Sequence, residues 1–420
     1  MKRLIAVFVF FAAMTAGAFA QTFDWTASLN TGLFVQFTNR EDAGPFVYGA
    51  SANKAVPLNL ELDGYYINAN GTAGITAGIT LKAEDIVTGV VDQAFDITKV
   101  LAIDDVFGWA KLFNGILTLN GGVFESELFE TPAALESHLE SEGIGLSAVV
   151  APLPARSGHD LKIGLSAFAK AGHTTLLDEG KYIISARYQK ENMIMAVANF
   201  ALRQYGPLQY GDKESTSYNE QKAKDIRINL GANYLGLSSL GFAKLAFDVE
   251  ARDLGGGRHS KRLWDLPTDP EGGVVYPLYF GETIQWHNDV IDVEGSFKQL
   301  IRIGDDHKDY APSLYFTLKG SYKVNDFVVP KLGIQYIMNS QAWENPTDMR
   351  FDEGLEWEDC LKDTGGLGAY VAVEFRIGGG TQHVVELGYS LKADTGKNAN
   401  PDPRTSTLDQ AIYASIKISR

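Results

Sequence analysis

The chain has 420 residues, a formal net charge of −15, 43 glycines and one cysteine, Cys360. The acidic balance argues against nucleic acid as a partner, because a nucleic-acid-binding surface needs a basic patch. A single cysteine excludes a disulfide framework, so a secreted protein of this size needs another source of stability, such as a closed hydrogen-bonded sheet.

The N-terminal segment has the parts of a secretory signal peptide. Lys2 and Arg3 precede an apolar run over residues 4–13, and Ala18-Phe19-Ala20 forms a small-x-small cleavage site. We expect a signal peptide over residues 1–20 and one domain over residues 21–420. No later stretch approaches about eighteen consecutive apolar residues, the length of a membrane-spanning helix, which excludes an α-helical membrane protein.

Apolar and polar residues alternate strictly in segments of roughly ten residues, the period and length of barrel strands. The clearest segments are residues 160–169, 225–234, 367–377 and 411–419. Alternation alone fits a soluble β-sandwich equally well, because there the apolar face forms the core. The links between the segments must therefore distinguish the two folds.

Short and long links follow one another along the chain. Asn114-Gly115 is a strong two-residue hairpin signal. The other short links are residues 68–71, 190–192, 235–241, 324–326 and 378–382. The long polar links are residues 39–55, 84–105, 125–142, 204–224, 253–282, 339–366 and 393–409. A membrane barrel sorts its links in this way, whereas a sandwich has no reason to do so.

These patterns predict an all-β fold: a single antiparallel transmembrane β-barrel with short periplasmic turns and long external loops. We count about 18 strands, an even number that returns the chain to the periplasm. Sixteen is the alternative, because Phe297 to Gly304 is short and Val106 to Phe113 is irregular. At either size the lumen is wide enough for water.

In its signal peptide, alternating strands and order of links, the chain resembles a bacterial outer-membrane porin over its full mature length. No family-specific motif is matched, and the chain ends in Lys417-Ile418-Ser419-Arg420 rather than in the aromatic residue typical of such porins. The resemblance implies localisation in the bacterial outer membrane, contact with outer-membrane lipid and a homotrimer, although one chain identifies no interface.

If the apolar faces contact lipid, the charged faces need water, because a charge in hydrocarbon costs several kcal/mol. The candidate pore-lining bases are Lys162, Arg187, Arg203, Arg227, Lys244, Arg252, Lys331 and Arg376. Acidic residues on the same faces include Asp248, Glu250, Glu374 and Glu386. The acids are fewer than the bases, so we expect a mild preference for anions.

The third long link contains a candidate constriction. Thr131 as N-cap and Pro132 at the first helical position predict a short helix ending near residue 140. In porins the third external loop commonly folds inward and narrows the pore, which here would set Glu127, Glu130 and Glu136 opposite Arg187, Arg203 and Arg227. An exposed helix on a surface loop is an equally weighted alternative.

The acidic long loops, residues 84–105 and 352–359, are interpreted as solvated surface, with divalent-cation bridging as the alternative. We expect no metal site or cofactor of known motif, and no enzymatic activity. Neither G-x-S-x-G nor H-E-x-x-H occurs, and the best acid-base cluster, Asp305-Asp306-His307, lies in a short polar link.

The predicted function is a porin-like channel for passive diffusion of small hydrophilic solutes and ions. One alternative is an outer-membrane barrel adhesin, which binds a surface through its long loops. Another is a soluble β-protein, which would be recovered without detergent.

Overall fold

The computed structural model describes residues 21–38, 46–50, 59–82, 101–126, 129–133, 135, 141–153, 158–169, 181–210, 219–251, 254, 276–303, 311–340, 365–379, 382–395 and 408–419. Residues 1–20, assigned above to a signal peptide, lie outside these ranges. Among the residues with described positions, no helix is long and apolar enough to cross a membrane.

The described chain is built from β-strands and two three-residue 3-10 turns. The first strands are β1 Gln21–Thr38, β2 Phe46–Ala50, β3 Asn59–Asn68, β4 Ala73–Lys82, β5 Leu101–Leu112, β6 Leu117–Ser126, β7 Ser141–Leu153, β8 His159–Phe168, β9 Lys181–Lys190 and β10 Ile194–Tyr210. The remaining strands are β11 Asn219–Tyr234, β12 Phe242–Ala251, β13 Tyr276–His287, β14 Ile291–Ile303, β15 Ser313–Tyr322, β16 Val328–Met338, β17 Gly365–Arg376, β18 His383–Asp394 and β19 Leu408–Ser419.

The sheet closes on itself to form a barrel. Each strand from β3 to β19 pairs antiparallel with the next, and β19 pairs with β1 from Ser28 opposite Ser419 to Thr38 opposite Asp409. The short β2 and β3 pair with different parts of the same edge of β1 and share one position in the barrel. The barrel therefore has 18 strand positions, and the predicted count is confirmed.

The two segments that made the count ambiguous are both complete strands. Phe297 and the residues after it belong to β14, which extends over 13 residues. Val106 to Leu112 forms the second half of β5, and the irregularity lies earlier in the same strand, where Asp104 is an extra residue between Ile103, which pairs with Ile79, and Asp105, which pairs with Gly78. Closure by 18 strands removes every free sheet edge, which a membrane-spanning sheet requires.

Links of two lengths alternate around the barrel, as predicted. The links that follow β3, β5, β7, β9, β11, β13, β15 and β17 have three to seven residues and lie at one end. The links at the other end have eight or more residues, apart from the seven-residue link between β1 and β2. The link that contains Asp305-Asp306-His307 was predicted to be short, but it has nine residues and belongs to this end. Two short links missed by sequence reasoning, residues 154–158 and 288–290, complete the pattern.

The hairpin signal at Asn114-Gly115 is confirmed in position, but the link is four residues long. Leu112 pairs with Leu117, and the Gly115 amide donates a 3.1 Å hydrogen bond to the Leu112 carbonyl. The two residues enclosed by this bond, Phe113 and Asn114, have φ values of 52° and 58°. Positive φ at both central positions matches the strand twist, which is why Asn is favoured there.

Where the side chains of the strands are described, an exposed apolar face alternates with a polar face. In β8, Ile163 and Leu165 are exposed, whereas Gly164 and Ser166 are buried. In β11, Asn229 is fully buried beside exposed Leu230. The polar side chains therefore point into the barrel and the apolar ones form its outer surface, the arrangement of a barrel solvated by lipid.

Candidate functional site in the barrel lumen

Part of the third long link lies inside the barrel. Its described residues, 129–133 and 135, are called the constriction segment here. The Asn199 side-chain amide on β10 donates a 3.0 Å hydrogen bond to the Phe129 carbonyl. The Ala133 amide donates a 2.9 Å hydrogen bond to Oδ2 of Asp248 on β12. Because both wall residues belong to the polar inner face, the segment crosses the lumen side of β10 to β12.

Two glycines on the inner wall make room for this segment. A Cβ atom on Gly231 of β11 would lie 2.6 Å from Cδ of Pro132, too close for any side chain. A Cβ atom on Gly281 of β13 would lie 2.7 Å from Cγ of Leu135. Phe129 and Leu135 are both buried, at 8% and 4% exposure. The segment is therefore held in two ways: it packs into the space where Gly231 and Gly281 have no side chain, and it is hydrogen-bonded to the wall.

The predicted helix is wrong in the residues that the structure describes. Residues 129–133 and 135 adopt bends and irregular backbone, and Thr131 caps no helical turn. The Ala133 amide, at the second helical position that a Thr131 cap could bind, instead donates to the Asp248 carboxylate. A barrel residue far away in sequence has replaced the local cap. Glu130 is exposed, whereas Glu127 and Glu136 lie outside the described residues.

A first charge cluster lies on β8 and β9 next to the segment. Arg187 donates to Oδ2 of Asp160 at 3.1 Å, and Nζ of Lys162 lies 3.6 Å from the same oxygen. The Arg187 guanidinium also lies over the Phe129 ring, 5.6 Å from its centroid. The predicted pore-lining bases Lys162 and Arg187 therefore share one carboxylate, and Arg187 connects the wall to the segment.

A second cluster lies on the other side of the lumen, on β16 to β19. Nζ of Lys331 contacts the Glu374 carboxylate and lies 2.8 Å from Oε2 of Glu386. Nε of Arg376 donates to Oε1 of Glu374 at 2.6 Å, and the Tyr413 hydroxyl donates to Oε1 of Glu386 at 2.9 Å. Two bases and two acids thus form one network with no net charge.

Lys331 is the centre of this second network, because it alone contacts both carboxylates. In Lys331→Gln, Glu374 keeps Arg376 while Glu386 keeps only the Tyr413 hydroxyl, so the wall gains net negative charge. We expect the cation-to-anion permeability ratio to rise by roughly a factor of two, measured as a reversal potential in a salt gradient. Lys323→Gln is the matched control, because Lys323 pairs with Asp326 in the adjacent short turn. A shift toward anions would contradict the assignment of this network to the pore wall.

Of the other four predicted bases, the structure describes the side chains of two. Arg227 is buried on the inner face of β11, at 9% exposure, and Lys244 lies on the inner face of β12. The backbone of Arg203 is paired in β10, but its side chain and the whole of Arg252 lie outside the described residues. Among the described side chains, Lys162, Arg187, Lys331 and Arg376 are paired with carboxylates, which weakens the argument for anion preference from the number of bases.

Sequence reasoning missed the residues that seat the constriction segment. Asn199, Gly231 and Gly281 were not singled out, and Asp248 was noted only as an inward acid. The available signal was glycine at inward positions in mid-strand, where polar side chains are otherwise the rule. The acidic loops proposed to bridge divalent cations lie almost wholly outside the described residues. Within the described ranges, no three His, Cys, Asp or Glu side chains are grouped as a metal site would need.

Comparisons with known proteins agree at the level of the fold. No family model and no curated protein matches the sequence. OpdO of Pseudomonas aeruginosa superposes with a TM-score of 0.51 at 9% identity, covering 95% of this chain and 97% of that chain. OmpT, an outer membrane protein of Vibrio cholerae in a trimer form, has a TM-score of 0.45 at 11% identity, with 96% and 100% coverage.

A third similar structure is an anion-selective porin from Comamonas acidovorans, with a TM-score of 0.46 at 9% identity, covering 96% of this chain and all of that chain. At these identities a likeness shows the fold alone. The chain has the fold of an outer-membrane porin barrel, and the resemblance stated from the sequence is confirmed at that level.

Proposed function

We propose that the chain is a porin-like channel that lets small hydrophilic solutes and ions diffuse passively across the bacterial outer membrane. One observation carries the proposal: a closed 18-strand barrel is apolar outside and polar inside, and a segment of its own chain narrows the lumen. Barrels of this size leave an aqueous channel unless a plug fills it. A segment seated along the wall narrows such a channel and sets the size of solute that passes.

The charge clusters support diffusion rather than tight binding. Lys162 and Arg187 are held by Asp160, and Lys331 and Arg376 by two glutamates. A base that is already paired with a carboxylate binds a passing anion more weakly than a free base does. Solutes are therefore released as readily as they enter. Mild anion preference stays a prediction, as do the absence of enzymatic activity and the adhesin alternative.

Liposome swelling tests the proposed diffusion. Vesicles that contain the purified barrel should swell in isotonic arabinose faster than in sucrose, and faster in sucrose than in raffinose, because the constriction retards larger sugars. Vesicles made with heat-denatured protein are the control. Equal swelling rates for all three sugars would contradict a constriction, and no swelling despite confirmed insertion would contradict the channel.

The signal peptide and the homotrimer remain proposals. β1 begins at Gln21, the residue after the predicted cleavage site. We therefore expect the intact mass of the protein in outer membranes to correspond to residues 21–420, and a mass that retains residues 1–20 would contradict cleavage. The homotrimer rests on the resemblance to porins, because no surface among the described residues indicates three copies.

A further inference from the structure

The outer surface of the barrel contains a carboxylate at the middle of a strand. Glu282 lies in β13 between Gly281, which faces Leu135 inside the barrel, and Thr283, which is 3% exposed. Alternation therefore turns Glu282 outward, on the face of Ile284, which is 55% exposed. β13 extends from Tyr276 to His287, so Glu282 lies far from both ends of the strand.

The surroundings of Glu282 are aromatic and aliphatic. Phe247 of β12 and Phe297 of β14 are its direct neighbours across the sheet. Phe280 and Ile284 flank it on β13. Gln299 of β14, which pairs with Phe280, occupies the diagonal position and also faces outward. Within the described part of the chain, neither Glu282 nor Gln299 makes a hydrogen bond or an ion pair.

This arrangement is costly in a lone barrel. A short carboxylate side chain in mid-strand cannot reach the interfacial water that it needs, and an unpaired amide in hydrocarbon is also unfavourable. Among the described outward side chains of β11 to β16, Glu282 is the one charge and Gln299 the one amide. A hydrogen-bond acceptor and a donor thus lie side by side on an otherwise apolar surface.

We propose that the outer face of β12 to β14, centred on Glu282 and Gln299, binds a second copy of this chain across a two-fold axis. In a two-fold contact the same patch faces itself, so each Glu282 accepts from the amide of the other copy's Gln299, and the contact contains two such hydrogen bonds. Polar residues in lipid associate in this way because no water competes for their hydrogen bonds. Phe247 of β12 and Phe316 of the adjoining β15, which are 43% and 44% exposed, add large apolar rings on either side of this face.

The self-complementary patch favours a second copy over an unrelated partner. An unrelated protein would have to supply both a donor for Glu282 and an acceptor for Gln299 at the same spacing. The inference requires the barrel to lie in a membrane, but it does not require the barrel to conduct. It predicts two copies, where the family resemblance implies three.

Native mass spectrometry of the full chain, extracted from outer membranes in mild detergent, tests the contact. The unaltered protein should be a dimer, and Glu282→Leu and Gln299→Leu should each reduce the dimer fraction by about tenfold, because each change removes both hydrogen bonds across the two-fold axis. Ile412→Leu, on the outer face of β19, should leave the dimer intact. A monomeric parent protein, a trimer, or a dimer that survives Glu282→Leu would overturn the proposal.

Cysteine cross-linking keeps the test decisive if the leucine variants fail to fold. In a Cys360→Ser background, co-expressed Glu282→Cys and Gln299→Cys chains should form a mixed disulfide dimer on mild oxidation. Ile412→Cys co-expressed with Gln299→Cys should not. Absence of the mixed dimer in folded barrels would overturn the contact. Ion current through each barrel should be the same in Glu282→Leu as in the parent, so failure of the contact and failure of the channel are distinguishable.

Discussion

Replacing Gly281 with valine should increase the ion current through each open channel. A Cβ atom at this position would lie 2.7 Å from Cγ and 3.1 Å from the amide nitrogen of Leu135, so the constriction segment has to move away from the wall. Forcing side-chain atoms into a filled site costs about 1–3 kcal/mol. The hydrogen bonds of the segment are comparable in strength, whereas β13 is paired without interruption on both sides of Gly281, with β12 and with β14. The segment should therefore yield before the barrel does.

Single-channel recording in planar bilayers measures this effect, with Gly295→Val as the matched control. Gly295 lies in β14, where the nearest atoms to an added Cβ would be 3.8 Å away, an ordinary contact distance. The control should conduct like the parent protein. If Gly281→Val has a lower current than the parent, the added side chain narrows the lumen and the segment does not occupy the groove.

Replacing Asp248 with alanine should release the middle of the constriction segment. The Asp248 carboxylate is fully buried and accepts the hydrogen bond from the Ala133 amide. Loss of the acceptor leaves the Ala133 amide without its partner in the seated position, which costs about 1–3 kcal/mol, so the detached population should rise roughly five- to a hundredfold. The expected record shows a higher mean current, with frequent transitions between two conductance levels.

The control for Asp248→Ala is Asp292→Ala in β14. Asp292 is exposed, accepts a 3.4 Å hydrogen bond from Gln285 on the next strand, and has no contact with the segment. Its loss should leave the current steady at the parent level. If the current through Asp248→Ala is equally steady, the hydrogen bond contributes little. The segment would then be held by packing at Gly231 and Gly281 alone.

The strands and their order could be predicted because they depend on local chemistry. Alternation with a period of two identifies each strand, as in β8 and β11, and turn residues such as Asn114 mark the short links. The count of 18 follows once the links are sorted by length. Closure of β1 on β19 then follows because a membrane barrel cannot leave an edge unpaired.

The path of the constriction segment could not be predicted, because it depends on contacts between distant parts of the chain. Ala133 and Asp248 are separated by 115 residues, and Phe129 and Asn199 by 70. The local signal of Thr131 and Pro132 favours a helix, and the wall overrides it. Likewise, the neutralisation of Lys331 by Glu386, 55 residues away, depends on the register of three strands.

The central claim is that the apolar outer face of this barrel contacts lipid while water fills its polar interior. Recording from planar bilayers tests it directly, as folded protein is added to one side. We predict discrete upward steps of current whose size increases in proportion to salt concentration, as expected for ions that move through a water-filled hole. Protein that remains folded but inserts without any current steps, or that stays soluble without detergent, would contradict the account.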